Sequence, residues 1–157
     1  MTIGVERERK FLVASTAFLE GHLSERVAQC YLVSTDDVEL RVRVAGDTAT
    51  LTIKSGETTL VRDEIEYVLE SRSLASALLM SSNLRIAKDR FDVVAGSHVW
   101  NVDIFLDENA GLVIAEVEFD KGDVIELPEW VGEEVTGDPR YYNRNLAATP
   151  FTTWPRP

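Results

Sequence analysis

The sequence predicts a mainly β protein, an eight-stranded antiparallel β-barrel with a few flanking helices. About eight short segments alternate apolar and charged side chains with the period of two that is typical of strands. Glycine and aspartate turn signals separate these segments. One clear helical apolar pattern interrupts them, at residues 71–83. With 157 residues the chain fits a single domain over residues 1–157.

The predicted elements follow this pattern along the chain. The strands are predicted at residues 5–13, 31–33, 38–44, 48–55, 60–70, 85–94, 99–107 and 112–119. A short helix or an irregular crossing is expected at 15–27. A helix is predicted at 71–83, where leucines form a stripe at helical spacing. A second helix begins at Asp138-Pro139, an N-cap followed by a first-turn proline, and continues to residue 148.

Each predicted strand has one apolar face and one charged face. If helices pack against the apolar faces on the outside of the barrel, the charged faces must point inward. They then line its interior, with six bases and eight acids. The inward set is Lys10, Arg41, Arg43, Lys54, Lys88 and Arg90, with Glu6, Glu8, Glu39, Glu64, Glu66, Asp103, Glu116 and Glu118.

Charges removed from water cost several kcal/mol each unless they are paired, so this interior is predicted to be a wet channel that holds ions. Its arginines suit a multiply charged anion such as a polyphosphate. Its surplus carboxylates suit a hard divalent cation, Mg²⁺ or Mn²⁺. The alternative is an open sheet whose charged face meets solvent and is stabilised by cross-strand pairs.

Composition narrows the function classes. The net charge of −11 argues against nonspecific binding to nucleic acid or to an anionic membrane surface. Cys30 is the single cysteine, which suits a reducing compartment. The N-terminus has no apolar signal region, and no run of about 18 apolar residues occurs. We therefore expect a cytoplasmic protein with no membrane partner.

The N-terminal pattern Glu-x-Glu-x-Lys, followed by FLV, resembles the signature of the CYTH superfamily, the triphosphate tunnel metalloenzymes. The similarity continues in order through QCYL, VELRVR, LTIKS, RDEIEY, AKDRF, VDIF, AEVEF and WVGEEVTGDPRYYNRNLA. The last stretch resembles the short bacterial members. The resemblance implies an eight-stranded tunnel that hydrolyses or transfers triphosphate-containing substrates with Mg²⁺ or Mn²⁺.

The resemblance also implies roles for individual residues. The implied metal set is Glu6, Glu8, Glu116 and Glu118, and Glu64 and Glu66 either join this acidic cluster or orient bases. Asp103, an acid of the predicted inward face, is a further candidate metal ligand. The implied phosphate-binding set is Lys10, Arg41, Arg43, Lys54, Lys88, Arg90 and Arg144. Lys10 and Tyr31 resemble residues tied to water activation, and the sequence does not decide which takes the proton; Tyr31 is alternatively a hydrogen-bond partner of Lys10.

Two positions depart from the family pattern. Arg144 stands where lysine is usual, which keeps the charge and changes the contact geometry. Cys30 stands before the tyrosine where glycine is common.

The expected function is hydrolysis of inorganic tripolyphosphate, a small-molecule partner, to pyrophosphate and phosphate. Two alternatives keep the fold: an adenylate cyclase, or a nucleoside or thiamine triphosphatase. A third is a polyphosphate-binding module without catalysis. A homodimer is compatible with the sequence, since dimers are the commonest oligomers.

Overall fold

The computed structural model describes residues 2–55 and 61–155, and the side chains of 7–55 and 63–155. Its described strands form one closed barrel in the order β1-β5-β4-β3-β2-β6-β7-β8, and every neighbouring pair is antiparallel. This arrangement confirms the predicted fold class. The strands are β1 (Thr2–Leu12), β2 (Ser24–Ser34), β3 (Val38–Ala45), β4 (Thr48–Ser55), β5 (Val61–Val68), β6 (Arg85–Ala95), β7 (His98–Phe105) and β8 (Val113–Glu118).

Strand β1 closes the barrel because it pairs with two strands in succession. Its first half, as far as Arg7, pairs with β5, and its second half, from Glu8 to Leu12, pairs with β8. Glu8 lies opposite Glu118 in this register, and Lys10 lies opposite Glu116. The glutamates and the lysine of the N-terminal motif therefore stand at the seam of the barrel.

Strand β2 differs from the prediction. A short 3₁₀ turn at Ala17–Leu19 replaces the helix or crossing, and a strand of 11 residues runs over Ser24–Ser34. Both faces of this strand are buried: Val27 and Tyr31 are buried on one face and Cys30 on the other. The usual alternation of apolar and polar residues is therefore weak, and the strand was predicted too short.

The two helices cover different parts of the barrel. Helix α1 (Arg72–Ser81) is capped by Ser71, whose hydroxyl accepts from Leu74 N, and its Ala75 packs against Cys30 and Val42. The predicted C-terminal helix is divided into a 3₁₀ turn at Pro139–Tyr141 and helix α2 (Asn143–Ala148). Among the described residues, no helix has both the length and the apolar character needed to cross a bilayer.

Beneath α2 the inner face of the barrel is apolar. Ile86, Phe105 and Ile114 each lie two residues from a charged inward position on the same strand, and they pack with Tyr31 and Leu146 in one buried cluster. The next inward residues along these strands are charged. The charged section therefore begins directly above an apolar layer that α2 helps to form.

Gly132 allows the C-terminal segment to pair with β1 next to the predicted site. Its amide donates to Leu12 O at 2.8 Å, and Val135 N donates to Lys10 O at 2.9 Å. A Cβ at position 132 would lie 2.8 Å from Leu12 O, closer than side chains tolerate. Glycine at this position thus lets the segment hold the backbone of Lys10.

Candidate active site

Lys10 is the centre of the acidic half of the site. Its ammonium lies 2.9 Å from Glu8 Oε1 and 2.5 Å from Glu116 Oε1. The second oxygen of Glu116 accepts from Arg90 Nη2 at 3.1 Å. Because β1 and β8 are hydrogen-bonded neighbours, the register brings these two carboxylates together on one cation.

Asp103 holds two bases of the neighbouring strand β6. Its carboxylate receives Lys88 Nζ at 2.5 Å and both Nε and Nη2 of Arg90 at 2.7 Å. The side chains of Lys88 and Asp103 have no exposed surface. Such a fully buried group of charges is tolerated because each charge is paired. Both Asp103 oxygens are engaged in these contacts.

The opposite wall is built from β3, β4 and β5. Arg41 Nη2 donates to Thr52 Oγ1 at 3.2 Å, and Thr52 Oγ1 donates to Glu66 Oε2 at 3.2 Å. Lys54 Nζ lies 3.4 Å from Glu64 Oε2. Glu64 therefore lies beside a base of this wall, and Glu66 is linked to Arg41 through Thr52.

Tyr31 contacts Gln29 rather than Lys10. Gln29 Nε2 donates to Tyr31 Oη at 2.7 Å, and Arg43 Nε donates to Gln29 Oε1 at 3.3 Å. The alternative in which Tyr31 holds Lys10 is therefore wrong for this structure, since the ammonium of Lys10 is held by carboxylates. Tyr31 instead lies beside Arg41 and Arg43 of β3, the pair that we call the arginine wall.

The pKa directions keep both predicted proton carriers protonated. Burial lowers the pKa of Lys10, but the carboxylates of Glu116 and Glu8 raise it further, and the net pKa lies above the ordinary value. Burial raises the pKa of Tyr31, and the charge of Glu39 adds to this effect, so that Arg41 and Arg43 do not lower it below its usual value. In this arrangement neither group is a ready proton acceptor.

The arginine wall holds like charges close together. Burial lowers the pKa of Arg43 to about 10, and the neighbouring charges of Arg41 and Arg90 lower it too. Within the described residues, the buried Nε of Arg41 has no hydrogen-bond partner. A buried donor without a partner costs free energy that an incoming acceptor recovers. The arginine wall thus offers a hydrogen-bond donor and positive charge to an anion.

Two predicted site residues, Glu118 and Arg144, lie at the margins of the site. Glu118 is exposed at the end of β8. The guanidinium of Arg144 donates to Thr35 O at 2.5 Å, on the turn between β2 and β3, and lies 3.9 Å from Asp36. The predicted role of Glu6 rests on a side chain outside the described residues, although its backbone lies in β1.

Sequence reasoning missed three buried polar residues of the inner face, namely Gln29, Thr50 and Thr52. The threonines share a face with Lys54, which was visible in the alternation of β4. Gln29 lies two residues before Tyr31 on the same face of β2, and this spacing was hidden because the strand was predicted to begin at residue 31. An i, i+2 pairing of a polar residue with the tyrosine is the signal that finds it.

The acidic residues offer oxygen donors to a hard cation. Glu8 and Glu116 already direct one oxygen each toward the same positive centre, the Lys10 ammonium. No group of three or more His, Cys, Asp or Glu side chains suited to a metal occurs among the side chains that the structure describes.

Comparison with known proteins places this geometry in a family. Residues 4–142 match the sequence model of the CYTH domain. The chain belongs to the CYTH domain family. The match includes every strand of the barrel except the first two residues of β1, so the family's fold and the observed barrel coincide.

Relatives within the CYTH family are similar to this chain over nearly its full length. An inorganic triphosphatase from Acetivibrio thermocellus is 38% identical over 151 residues, covering 95% of this chain and 97% of the relative. An inorganic triphosphatase from Nitrosomonas europaea is 36% identical over 148 residues, covering 90% and 96%. A crystal structure of an inorganic triphosphatase superposes with a TM-score of 0.67 at 33% identity, covering 90% of this chain and 93% of that one.

Proposed function

We propose that this protein is an inorganic triphosphatase that cleaves tripolyphosphate to pyrophosphate and phosphate. The observation that carries the proposal is a barrel interior in which two neighbouring arginines, Arg41 and Arg43, lie on the strand opposite the carboxylate of Glu116. The carboxylate of Glu116 on β8 lies four strands away from Arg41 and Arg43 on β3 in either direction around the barrel. The similarity to relatives named inorganic triphosphatase supports the same substrate.

The arginine wall supplies the phosphate contacts. Arg41 offers a buried Nε that has no partner in the described part of the chain, and Arg43 is a half-buried cation whose pKa is lowered by the charges of Arg41 and Arg90. A triphosphate anion offsets the repulsion between these like charges and accepts bidentate hydrogen bonds from guanidinium groups. Lys54 and Arg90 add positive charge on either side, and Lys88 lies fully buried against Asp103. Arg144 is assigned to the β2–β3 turn, which its side chain contacts.

Family membership implies a divalent cation, and we propose Mg²⁺ or Mn²⁺ because the available donors are carboxylate oxygens. Glu8 and Glu116 are the described residues that fit this role, with Glu118 opposite Glu8 in the register and Glu6 two residues earlier on β1. When bound, the cation neutralises charge on phosphate oxygens. Asp103 is assigned to another role, since its carboxylate has no exposed surface and holds the ammonium of Lys88 and the guanidinium of Arg90.

The reaction needs little covalent participation from the protein. A water oxygen attacks a terminal phosphorus, the bond from that phosphorus to its bridging oxygen breaks, and the electron pair leaves on pyrophosphate. One proton of the water stays on the phosphate product as hydrogen phosphate, and the other is released to solvent. Phosphoryl transfer of this kind depends mainly on positioning and on stabilisation of charge. The fixed ion-pair chain from Lys10 through Glu116 and Arg90 to Asp103 keeps these charges in place before the substrate binds.

Phosphate release from the purified protein tests this proposal. Tripolyphosphate, ATP and thiamine triphosphate are compared at equal concentration with Mg²⁺, with Mn²⁺ and with a chelator. We expect a strong preference for tripolyphosphate and no release in the chelator. A preference for ATP or thiamine triphosphate would overturn the substrate, and metal-dependent binding of tripolyphosphate without release would indicate a binding module.

A further inference from the structure

Gln29 occupies an unusual place for an uncharged amide. It lies on the inner face of β2, two residues before Tyr31, and its side chain has no exposed surface. A buried amide is costly unless its donors and its acceptor find partners. Both ends of the Gln29 amide do so, because Nε2 contacts Tyr31 Oη at 2.7 Å and Oε1 contacts Arg43 Nε at 3.3 Å.

Arg43 fixes which way the Gln29 amide points. An arginine Nε can only donate a hydrogen bond, so the atom that faces it must be the amide oxygen. The amide nitrogen then faces Tyr31 and donates to its oxygen. The hydroxyl hydrogen of Tyr31 is consequently directed elsewhere. Among the described residues no oxygen accepts it.

We infer that Gln29 is a positioning residue that holds the Tyr31 hydroxyl as a hydrogen-bond donor toward a phosphate oxygen of the substrate. This inference rests on the proposed function and adds a role that the predicted site did not contain. Two observations place the hydroxyl for it. The Tyr31 ring packs in the apolar cluster with Phe105 and Leu146, which fixes the ring, and the charges of Arg41 and Arg43 act on its hydroxyl.

The same contacts decide between two roles for Tyr31. As a base it would need a lowered pKa, whereas burial raises the pKa of this phenol above its usual value. As a donor it must keep its proton, which the raised pKa ensures. A phosphate oxygen held by the two arginines then completes the hydrogen bond that the hydroxyl lacks in the described part of the chain.

A double-mutant cycle tests the inference. Gln29→Met removes both amide contacts at similar volume, and Tyr31→Phe removes the hydroxyl alone. We expect each single variant to lower kcat for tripolyphosphate by about tenfold, the value of one hydrogen bond, with KM changed by less than about twofold. The double variant is expected to be no slower than Tyr31→Phe, because Gln29 acts through the hydroxyl. Effects that multiply would overturn the inference and assign Gln29 to Arg43 alone.

The direction of the hydrogen bond has its own test. Gln29→Glu keeps an acceptor for Arg43 but offers Tyr31 a carboxylate, which accepts the hydroxyl hydrogen and draws it away from the substrate. We expect this variant to lose at least as much kcat as Gln29→Met. Wild-type kcat in Gln29→Glu would show that the donor role of the amide is not needed, and would contradict the inference.

A readout without turnover separates this inference from the proposed function. The ¹³Cζ chemical shift of Tyr31, measured by NMR in the free protein, is expected to move in Gln29→Met because the phenolic oxygen loses the hydrogen bond that Gln29 Nε2 donates. An unchanged shift would overturn the contact. If the shift moves but wild-type protein releases no phosphate from any triphosphate, the proposed function fails and the positioning of the hydroxyl stands.

Discussion

Glu116 and Arg90 connect the acidic cluster around Lys10 with the bases held by Asp103, since Glu116 Oε2 accepts from Arg90 Nη2 at 3.1 Å. The other oxygen of Glu116 belongs to Lys10, and the rest of the Arg90 guanidinium belongs to Asp103. With Glu8 at one end and Lys88 at the other, six buried or half-buried charges thus form one continuous chain across β1, β8, β6 and β7. A change at Glu116 is therefore expected to reach both the acidic cluster and the phosphate-binding bases.

Glu116→Gln is expected to lower kcat for tripolyphosphate by at least about a hundredfold, because it removes a proposed cation ligand and weakens the alignment of Arg90. Its free energy of unfolding should fall as well, since Lys10 keeps only Glu8 as a described counter-charge. Phosphate release and urea unfolding measure the two effects. The matched control is Glu134→Gln, which breaks an ion pair with Arg9 on the outer surface and should cost less than about 1 kcal/mol without loss of activity.

Arg41→Gln is expected to separate binding from stability. The wild-type guanidinium is buried beside Arg43 with its Nε unpartnered among the described residues, so its removal relieves repulsion in the free protein. The midpoint of thermal unfolding should stay equal or rise, while KM for tripolyphosphate rises at least about tenfold. A lowered midpoint with an unchanged KM would mean that Arg41 serves the fold and not the substrate.

Asp103→Asn is expected to destabilise the protein by about 3–5 kcal/mol, because it leaves the buried charges of Lys88 and Arg90 without their common partner. Urea unfolding in the presence of a chelator measures this cost without any metal contribution. If Asp103 were instead a cation ligand, the variant would unfold like wild type in the chelator and would require a higher metal concentration for activity.

The fold was largely predictable because most strands keep one apolar and one charged face, as β3 and β4 do. The inward bases of those strands were found for the same reason. The full length of strand β2 was not predicted because both of its faces are buried, and Gln29 was missed for the same reason. The pairing of particular acids with particular bases was not predicted either. The contact of Arg90 with Glu116, for example, spans 26 positions and depends on the register of a closed barrel.

Lys88 gives the protein a defined response to alkaline pH. Burial lowers the pKa of this lysine from 10.5 to about 8, and Asp103 only partly opposes that effect. Between about pH 8 and 10.5 the unfolded chain binds more protons at this position than the folded chain, so the Lys88 contribution to stability rises with pH. Urea unfolding across this window should show a smaller rise in Lys88→Met than in wild type. Parallel curves for the two proteins would contradict the lowered pKa.

The most direct test of the proposed chemistry is a time course of tripolyphosphate with Mg²⁺ followed by ³¹P NMR. The proposed function predicts that the terminal and central resonances of tripolyphosphate decay together while pyrophosphate and phosphate appear in equal molar amounts, and that Glu116→Gln leaves the spectrum unchanged over the same period. Intact tripolyphosphate in the wild-type sample, or cleavage at the same rate in Glu116→Gln, would contradict a triphosphatase built on these opposed charged walls.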